Sequence, residues 1–129
     1  MRGPAWARRF APLPTLLVLL AAAPARADGD VARGEQRFVE CAACHSVEQG
    51  VNNVGPTLSG IFGRKAGALS DFRYSAAMKR SGITWTAQTM DEFIADPQHV
   101  VPANRMPYAG LTEAGARADL IAFLQKAAK

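Results

Sequence analysis

Two cysteines and a histidine stand in the order Cys41-Ala42-Ala43-Cys44-His45, a C-x-x-C-H motif. This spacing is typical of covalent haem attachment, in which two thiols add to the vinyl groups of one porphyrin and the following histidine faces the iron. The chain has only 2 cysteines and 2 histidines, and the motif uses three of these four residues. The sequence therefore predicts one covalently attached haem c, with Cys41 and Cys44 as attachment residues and His45 as an iron ligand.

A C-x-x-C pair also occurs in zinc sites and in thiol–disulfide proteins. A zinc site needs further cysteine or histidine ligands, and outside the motif only His99 remains. A thioredoxin-like protein needs a βαβ unit around the pair, and no strand-like run of residues flanks it. Both alternatives are therefore less favoured than haem.

Residues 1–27 have the pattern of a cleaved secretory signal peptide: three arginines near the start, an apolar stretch, and an A-x-A site at 25–27. The densest apolar part, residues 16–23, is 8 residues long, whereas a membrane-spanning helix needs about 20. We therefore expect cleavage before Asp28, export to the periplasm, and no membrane span afterwards. Export fits the motif, because bacteria attach haem covalently outside the cytoplasm.

The net positive charge of the whole chain comes from this leader. The leader holds four of the 15 Lys and Arg residues and none of the 11 Asp and Glu residues, which leaves 11 of each in residues 28–129. A neutral domain gives no support for nucleic-acid binding, which favours a basic domain, and no steering by net charge. We expect one small domain over 28–129, a monomer that recognises its partners through local charges or apolar contacts.

The remaining pattern predicts helices joined by ordered loops. Helices are expected at about 30–41, 74–80, 86–95 and 113–127, with Asp30 and Thr112 as N-caps of the first and the last. Glycines and prolines predict loops over 51–67 and 97–110. No alternating strand pattern stands out, so the fold class is predicted to be all-α.

A haem iron held by His45 has a second axial position, which is either filled or open. The candidate ligands outside the leader are His99, Met78, Met90 and Met106. Met78 and Met90 lie in helical apolar patterns that predict core positions, whereas Met106 lies in a proline-braced loop without such a pattern. A soft thioether suits haem iron, so Met106 is the predicted ligand and His99 remains the rival.

Residues 28–129 resemble class I cytochromes c, in the branch of mitochondrial cytochrome c and bacterial cytochrome c2. The matching segments, in family order, are GEQRF (34–38), the haem motif, GPTL (55–58), FGRKAG (62–67), FRYS (72–75), GITW (82–85), RMPYAG (105–110) and LIAFL (120–124). The resemblance implies the cytochrome c fold around one haem. It also implies that Gly34 lets the last helix cross the first closely.

The resemblance assigns further roles around the haem. It implies that the carbonyl of Pro56 accepts the Nδ1–H of His45, and that Met106 is the axial ligand. Arg64, Tyr74 and Trp85 would donate hydrogen bonds to the haem propionates, since buried carboxylates require such partners.

The implied function is that of a one-electron carrier, not an enzyme, for redox proteins such as a bc1-type complex, a terminal oxidase, a reaction centre or a periplasmic dehydrogenase. The alternative from another class is a haem enzyme, such as a peroxidase, with an open sixth position. One departure from the family concerns docking: Glu40, Gln98, His99 and Glu113 stand where mitochondrial members commonly have lysine.

Overall fold

The computed structural model describes Met1 and residues 28–129. The helices are α1 (Val31–Ala42), α2 (Ala76–Arg80), α3 (Ala87–Ala95), α4 (Pro97–Val100) and α5 (Ala114–Ala127). Within residues 28–129 the only strand-like pairing is a single bridge between Lys65 and Thr84. The prediction of an all-α fold is therefore confirmed. The predicted signal peptide lies outside the described residues apart from Met1.

The N-cap predicted for α1 is confirmed, and α3 begins directly after Thr86, where the helix was expected to start. The side chain of Asp30 accepts the backbone N–H of Arg33 at 2.8 Å. Thr86 and Thr89 form a reciprocal capping box at the start of α3. Both arrangements satisfy backbone donors that a first helical turn leaves without partners.

Two local predictions were wrong. The stretch 97–110 was expected to be loop throughout, but it begins with α4, because Pro97 has a φ that suits a first helical turn and Asp96 caps the N–H of His99 at 3.1 Å. The N-cap of α5 is Glu113 rather than Thr112, and it makes no side-chain cap hydrogen bond.

Helices α1 and α5 cross at very close range. Gly34 is buried at the crossing, where an added Cβ would overlap the carbonyl oxygen of Asp119 and lie 2.7 Å from the Cβ of Phe123. One turn further along α1, the rings of Phe38 and Phe123 lie 5.2 Å apart. The close crossing expected at Gly34 is therefore confirmed, and it fixes the end of α1 that carries the haem motif.

The same crossing is held by the buried carboxylate of Asp119. It accepts the backbone N–H of Asp30 at 2.7 Å and the Nε–H of Arg33 at 2.7 Å. The hydrogen bond from Arg33, followed by that from Asp30, holds the pKa of Asp119 below its ordinary value of 3.8. The ionised carboxylate thus ties the start of the domain to α5.

We expect Asp119→Asn to lower the midpoint of urea unfolding at neutral pH. Both carboxylate oxygens of Asp119 accept hydrogen bonds from Arg33, and an amide is uncharged and has only one acceptor oxygen. A carboxyl whose pKa is depressed in the folded state stabilises that state above its ordinary pKa and ceases to do so as the pH falls through the folded value. The gap between wild type and variant should therefore be constant from pH 7 to about 5 and shrink below about pH 4. A gap that does not change with pH would show that the charge of Asp119 has no part in it.

The apolar stripe predicted for α3 is confirmed. Met90, Phe93 and Ile94 are all buried, and Phe93 packs edge-on against Trp85 with 5.1 Å between ring centroids. Leu120 and Leu124 of α5, each 2% exposed, belong to the same core. These side chains are also part of the wall of a large cavity.

Across residues 28–129, every helix is too short or too polar to cross a membrane.

Candidate functional site

A cavity of about 420 Å³ lies inside the domain, within the range of about 300–1,000 Å³ common for small-molecule sites. Its walls are mainly apolar and include side chains of α3 and α5. All eight residues predicted for the haem site line it: Cys41, Cys44, His45, Pro56, Arg64, Tyr74, Trp85 and Met106. Residues from widely separated segments of the chain therefore meet around one space.

The haem motif enters this cavity from the end of α1. The backbone N–H groups of Cys44 and His45 both donate to the carbonyl of Cys41, at 3.0 and 2.9 Å. This turn places both thiols and the imidazole along one cavity wall. Two thiols and a histidine on one wall are the donor set that covalent haem attachment needs.

The imidazole of His45 is held in one orientation. Its Nδ1 lies 2.7 Å from the carbonyl oxygen of Pro56, so Nδ1 carries the proton and Nε2 keeps its lone pair. Burial lowers the pKa of His45, and the bond to Pro56 only partly opposes this. The ring is therefore neutral and suited to bind a metal through Nε2.

Gly55 makes room for that ring. A Cβ at this position would overlap the imidazole and lie 2.7 Å from Nδ1 of His45. The N–H of Gly55 donates to the carbonyl of Cys44 at 2.8 Å, which draws the loop under the motif. The loop thus supplies both the space and the acceptor that hold His45.

The Cys41 thiol does not have the property expected of a redox nucleophile. Burial, with a smaller effect from Glu40, raises the pKa of the Cys41 thiol to about 11. Thiols that carry out disulfide exchange have a lowered pKa, which supplies the reactive thiolate. The structure therefore disfavours the thiol–disulfide alternative.

Three methionines line the cavity, and the rival histidine does not. Met78 and Met90 belong to α2 and α3, and Met106 lies on the loop after α4. His99 is exposed on α4 and is not among the cavity residues. The structure therefore favours a methionine over His99 as the second axial ligand.

The loop that carries Met106 is fastened on both sides. The N–H of Met106 donates to Oδ1 of Asn104 at 2.8 Å, and its carbonyl accepts the N–H of Tyr108 at 2.9 Å. Arg105 donates from Nη2 to the carbonyl of Arg73 at 2.7 Å, which joins this loop to another part of the cavity rim. Such a loop holds one side chain at a fixed point.

Three residues that line the mainly apolar cavity carry hydrogen-bond donors: Arg64, Tyr74 and Trp85. Arg64 donates from Nη1 to Ser59 O at 2.9 Å and from Nη2 to Thr57 O at 2.7 Å. A guanidinium has five N–H donors, so three remain available. The indole N–H of Trp85 makes no hydrogen bond to any of the described residues, and the hydroxyl of Tyr74 adds a third donor. The cavity therefore fits a large apolar group that carries carboxylates, as haem does.

Sequence reasoning missed Asn104 as a member of this site. Its side chain lies two residues before Met106 and accepts that residue's N–H, which is the spacing of an Asx turn. That spacing is the feature of the sequence from which the role of Asn104 could have been predicted. The hydrogen bond from Arg105 to Arg73 joins residues 32 positions apart, and the local sequence gave no sign of it.

Comparisons with known proteins agree with this site. The family model described as cytochrome c matches residues 31–128. A cytochrome c2 of Blastochloris viridis is 44% identical over 112 residues, which cover 86% of this chain and 88% of the relative. A cytochrome c2 of Agrobacterium tumefaciens is 44% identical over 101 residues, 75% of this chain and 91% of the relative. A cytochrome c of Chlamydomonas reinhardtii is 45% identical over 101 residues, 77% and 90% of the two chains.

These matches span nearly the whole described domain and confirm the resemblance drawn from the sequence. They remove the haem-enzyme alternative, and the cavity fits the cofactor that the family carries. The chain therefore belongs to the cytochrome c family, as an electron-transfer protein with one covalently attached haem c.

Proposed function

We propose that this protein is a periplasmic one-haem carrier whose two axial positions are both filled by its own side chains. In this proposal Cys41 and Cys44 hold the haem, and His45 and Met106 bind its iron. Pro56 orients His45, and the donors of Arg64, Tyr74 and Trp85 receive the propionates.

The arrangement around His45 carries this proposal. A neutral imidazole, turned by Pro56 at 2.7 Å, lines the same cavity as the loop of Met106. The bound haem supplies one-electron chemistry, because its iron alternates between Fe(II) and Fe(III). The chain keeps the ligand atoms in place in both states and excludes water with the apolar side chains of α3 and α5, so little rearrangement accompanies electron transfer.

Carbon monoxide tests whether the second axial position is filled. The reduced wild-type protein should bind carbon monoxide very weakly, whereas Met106→Ala should bind it readily, because truncation removes the ligand. Met78→Ala is the matched control, since Met78 lines the cavity from α2 and should leave the wild-type response. Ready binding by the wild type would contradict a filled position, and ready binding by Met78→Ala alone would assign the ligand to Met78.

The proposal includes export, with residues 1–27 removed and 28–129 forming the mature domain. The packing at the start of the described domain supports this boundary. A Cβ at Gly29 would overlap the carbonyl oxygen of Ala118, and the N–H of Asp30 is bonded to Asp119. The chain is therefore packed against α5 directly after the proposed cleavage site. N-terminal sequencing of the haem protein from a periplasmic fraction should begin at Asp28, and an uncleaved start would contradict this boundary.

The rim of the cavity suggests how partners are recognised. Its exposed members combine one acid, two arginines and two apolar residues: Glu40, Arg73, Arg105, Val54 and Pro107. Val54 is 74% exposed, so it offers apolar surface to a partner at this rim. We propose that a monomer docks its partner here through mixed contacts. The proposed partner is a redox protein of one of four classes: a bc1-type complex, a terminal oxidase, a reaction centre or a periplasmic dehydrogenase.

Electron transfer to such a partner should depend weakly on salt. The mature domain is formally neutral, and screening acts on long-range attraction between net charges. Between about 10 and 150 mM salt, where the Debye length falls from about 30 to about 8 Å, we expect the second-order rate to change less than about threefold. Membranes of the source organism supply the partner. Glu40→Lys should steepen the dependence, and a steep fall for the wild type would contradict docking by mixed contacts.

A further inference from the structure

We infer that Asn104 is a positioning residue for the axial ligand: its side chain fastens the segment of Met106 to α4 and sets how readily the sulfur leaves the iron. This inference rests on the proposed ligation by Met106.

The side chain of Asn104 is buried, with 7% of the residue exposed, and it uses both ends. Its Nδ2 donates to the carbonyls of Pro97 at 2.8 Å and Val101 at 3.0 Å. Its Oδ1 accepts the N–H of Met106 at 2.8 Å. One amide group therefore connects the two ends of α4 with the backbone of the proposed ligand.

The helix α4, to which Asn104 is bonded, is itself held in place at its start. Pro97 is among the largest fully buried side chains of the described domain. The helix that it begins is capped by Asp96, which accepts the N–H of His99 at 3.1 Å. Gln98 of the same helix donates to the carbonyl of Asn104 at 3.2 Å. The backbone of Met106 is thus tied, through Asn104, to a short helix that is anchored by the buried Pro97.

The backbone just before Asn104 is strained. Ala103 has a φ of 64°, and within residues 28–129 it is the only non-glycine residue in the left-handed region. Such a conformation persists where its surroundings hold it from several sides. Asn104 makes hydrogen bonds to residues before and after Ala103, so its loss would let this segment relax and move Met106.

A direct bond from Asn104 to the haem is the competing role, because Asn104 also lines the cavity. A side-chain amide has two N–H hydrogens, and the carbonyls of Pro97 and Val101 accept from both. No donor hydrogen remains for a propionate. The hydrogen bonds therefore assign Asn104 to the loop rather than to the cofactor.

Imidazole binding measures how readily the sulfur of Met106 leaves the iron, because imidazole binds the ferric protein in place of that sulfur. Its apparent affinity rises in proportion to the fraction of molecules in which the loop is open. We expect Asn104→Ala to raise the imidazole affinity about tenfold, which corresponds to about 1.4 kcal/mol. The exchange of the Met106 amide proton with solvent should accelerate by a similar factor, since its acceptor is gone.

Two further variants separate positioning from general loss of stability. Asn104→Thr keeps a hydroxyl that can accept the N–H two residues on, though more weakly, and should give an intermediate imidazole affinity. Thr86→Ala removes the capping box of α3 and lowers stability away from the Met106 loop. Its imidazole affinity should equal that of the wild type.

The inference is overturned if Asn104→Ala keeps the wild-type imidazole affinity, or if Thr86→Ala raises the affinity equally. If Asn104→Ala does not fold, Asn104→Thr decides, and a wild-type affinity there overturns the inference. Failure of the proposed ligation has a different signature: the wild-type ferric protein then lacks the absorption of an iron–sulfur bond. The amide exchange of Met106 still reports the hydrogen bond in that case.

Discussion

Acidified organic solvent is expected to extract all the haem from the double variant Cys41→Ser/Cys44→Ser. In the wild-type protein the haem should stay on the chain after denaturation. The chain has only these 2 cysteines, and both line the cavity. A serine hydroxyl does not form the thioether, so the double variant has no group left for attachment. Its haem would be held by packing and axial ligation alone, which denaturation removes.

The single variants are the matched controls for this experiment. Cys41→Ser and Cys44→Ser should each keep one thioether, so their haem should remain on the chain after denaturation. Absorbance of the organic phase and the mass of the protein report the two outcomes. Free extraction of haem from the wild-type protein would contradict the assignment of Cys41 and Cys44 as attachment residues.

Gly34→Ala should produce the largest loss of stability of any single methyl group added to a helix of this protein. The added Cβ would overlap the carbonyl oxygen of Asp119 and approach the Cβ of Phe123 to 2.7 Å. Because one neighbour is backbone, α1 and α5 have to move apart. We expect a cost at or above the upper end of the usual overpacking range, about 3 kcal/mol, which lowers the melting temperature of a domain of this size by roughly 12–24 °C.

Gly115→Ala is the control for this prediction. Gly115 lies in the first turn of α5, and an added Cβ there meets no atom within 4 Å. The same substitution should therefore stabilise the protein by about 0.4–1 kcal/mol, because alanine loses less conformational freedom on folding. Urea unfolding followed by circular dichroism compares the two. Equal stability of Gly34→Ala and wild type would contradict the close crossing.

Local patterns in the sequence predicted the elements that depend on neighbours along the chain. The spacing of Met90, Phe93 and Ile94 gave α3 its buried face, and Asp30 and Thr86 marked two helix starts. The start of α5 was wrong by one residue. Thr112 is the better capping residue type, but the helix begins after Glu113, which makes no side-chain cap hydrogen bond, and Arg117 of α5 donates to the carbonyl of Thr112 instead. The short helix α4 was missed because four residues give too little periodicity to detect.

The haem motif and the family resemblance named eight of the residues that line the cavity, and the hydrogen bond between His45 and the carbonyl of Pro56 agrees with the resemblance. Neither local sequence patterns nor the family resemblance predicted the contacts between distant segments. Asp119 meets Arg33 across 86 residues, and Arg105 meets Arg73 across 32. Such pairs depend on how helices cross and loops fold back. The exposed position of His99 on α4 likewise required the structure, since the sequence alone left it as a rival ligand.

The visible absorption spectrum of the purified ferric and ferrous protein tests the central claim most directly. His45 and Met106 as the two axial ligands predict a six-coordinate low-spin haem in both states and, in the ferric state, the charge-transfer absorption of an iron–sulfur bond. Met106→Ala should lose that absorption, and Met78→Ala should keep it. A high-spin spectrum of the wild-type protein, or an iron–sulfur absorption that survives in Met106→Ala, would contradict the account.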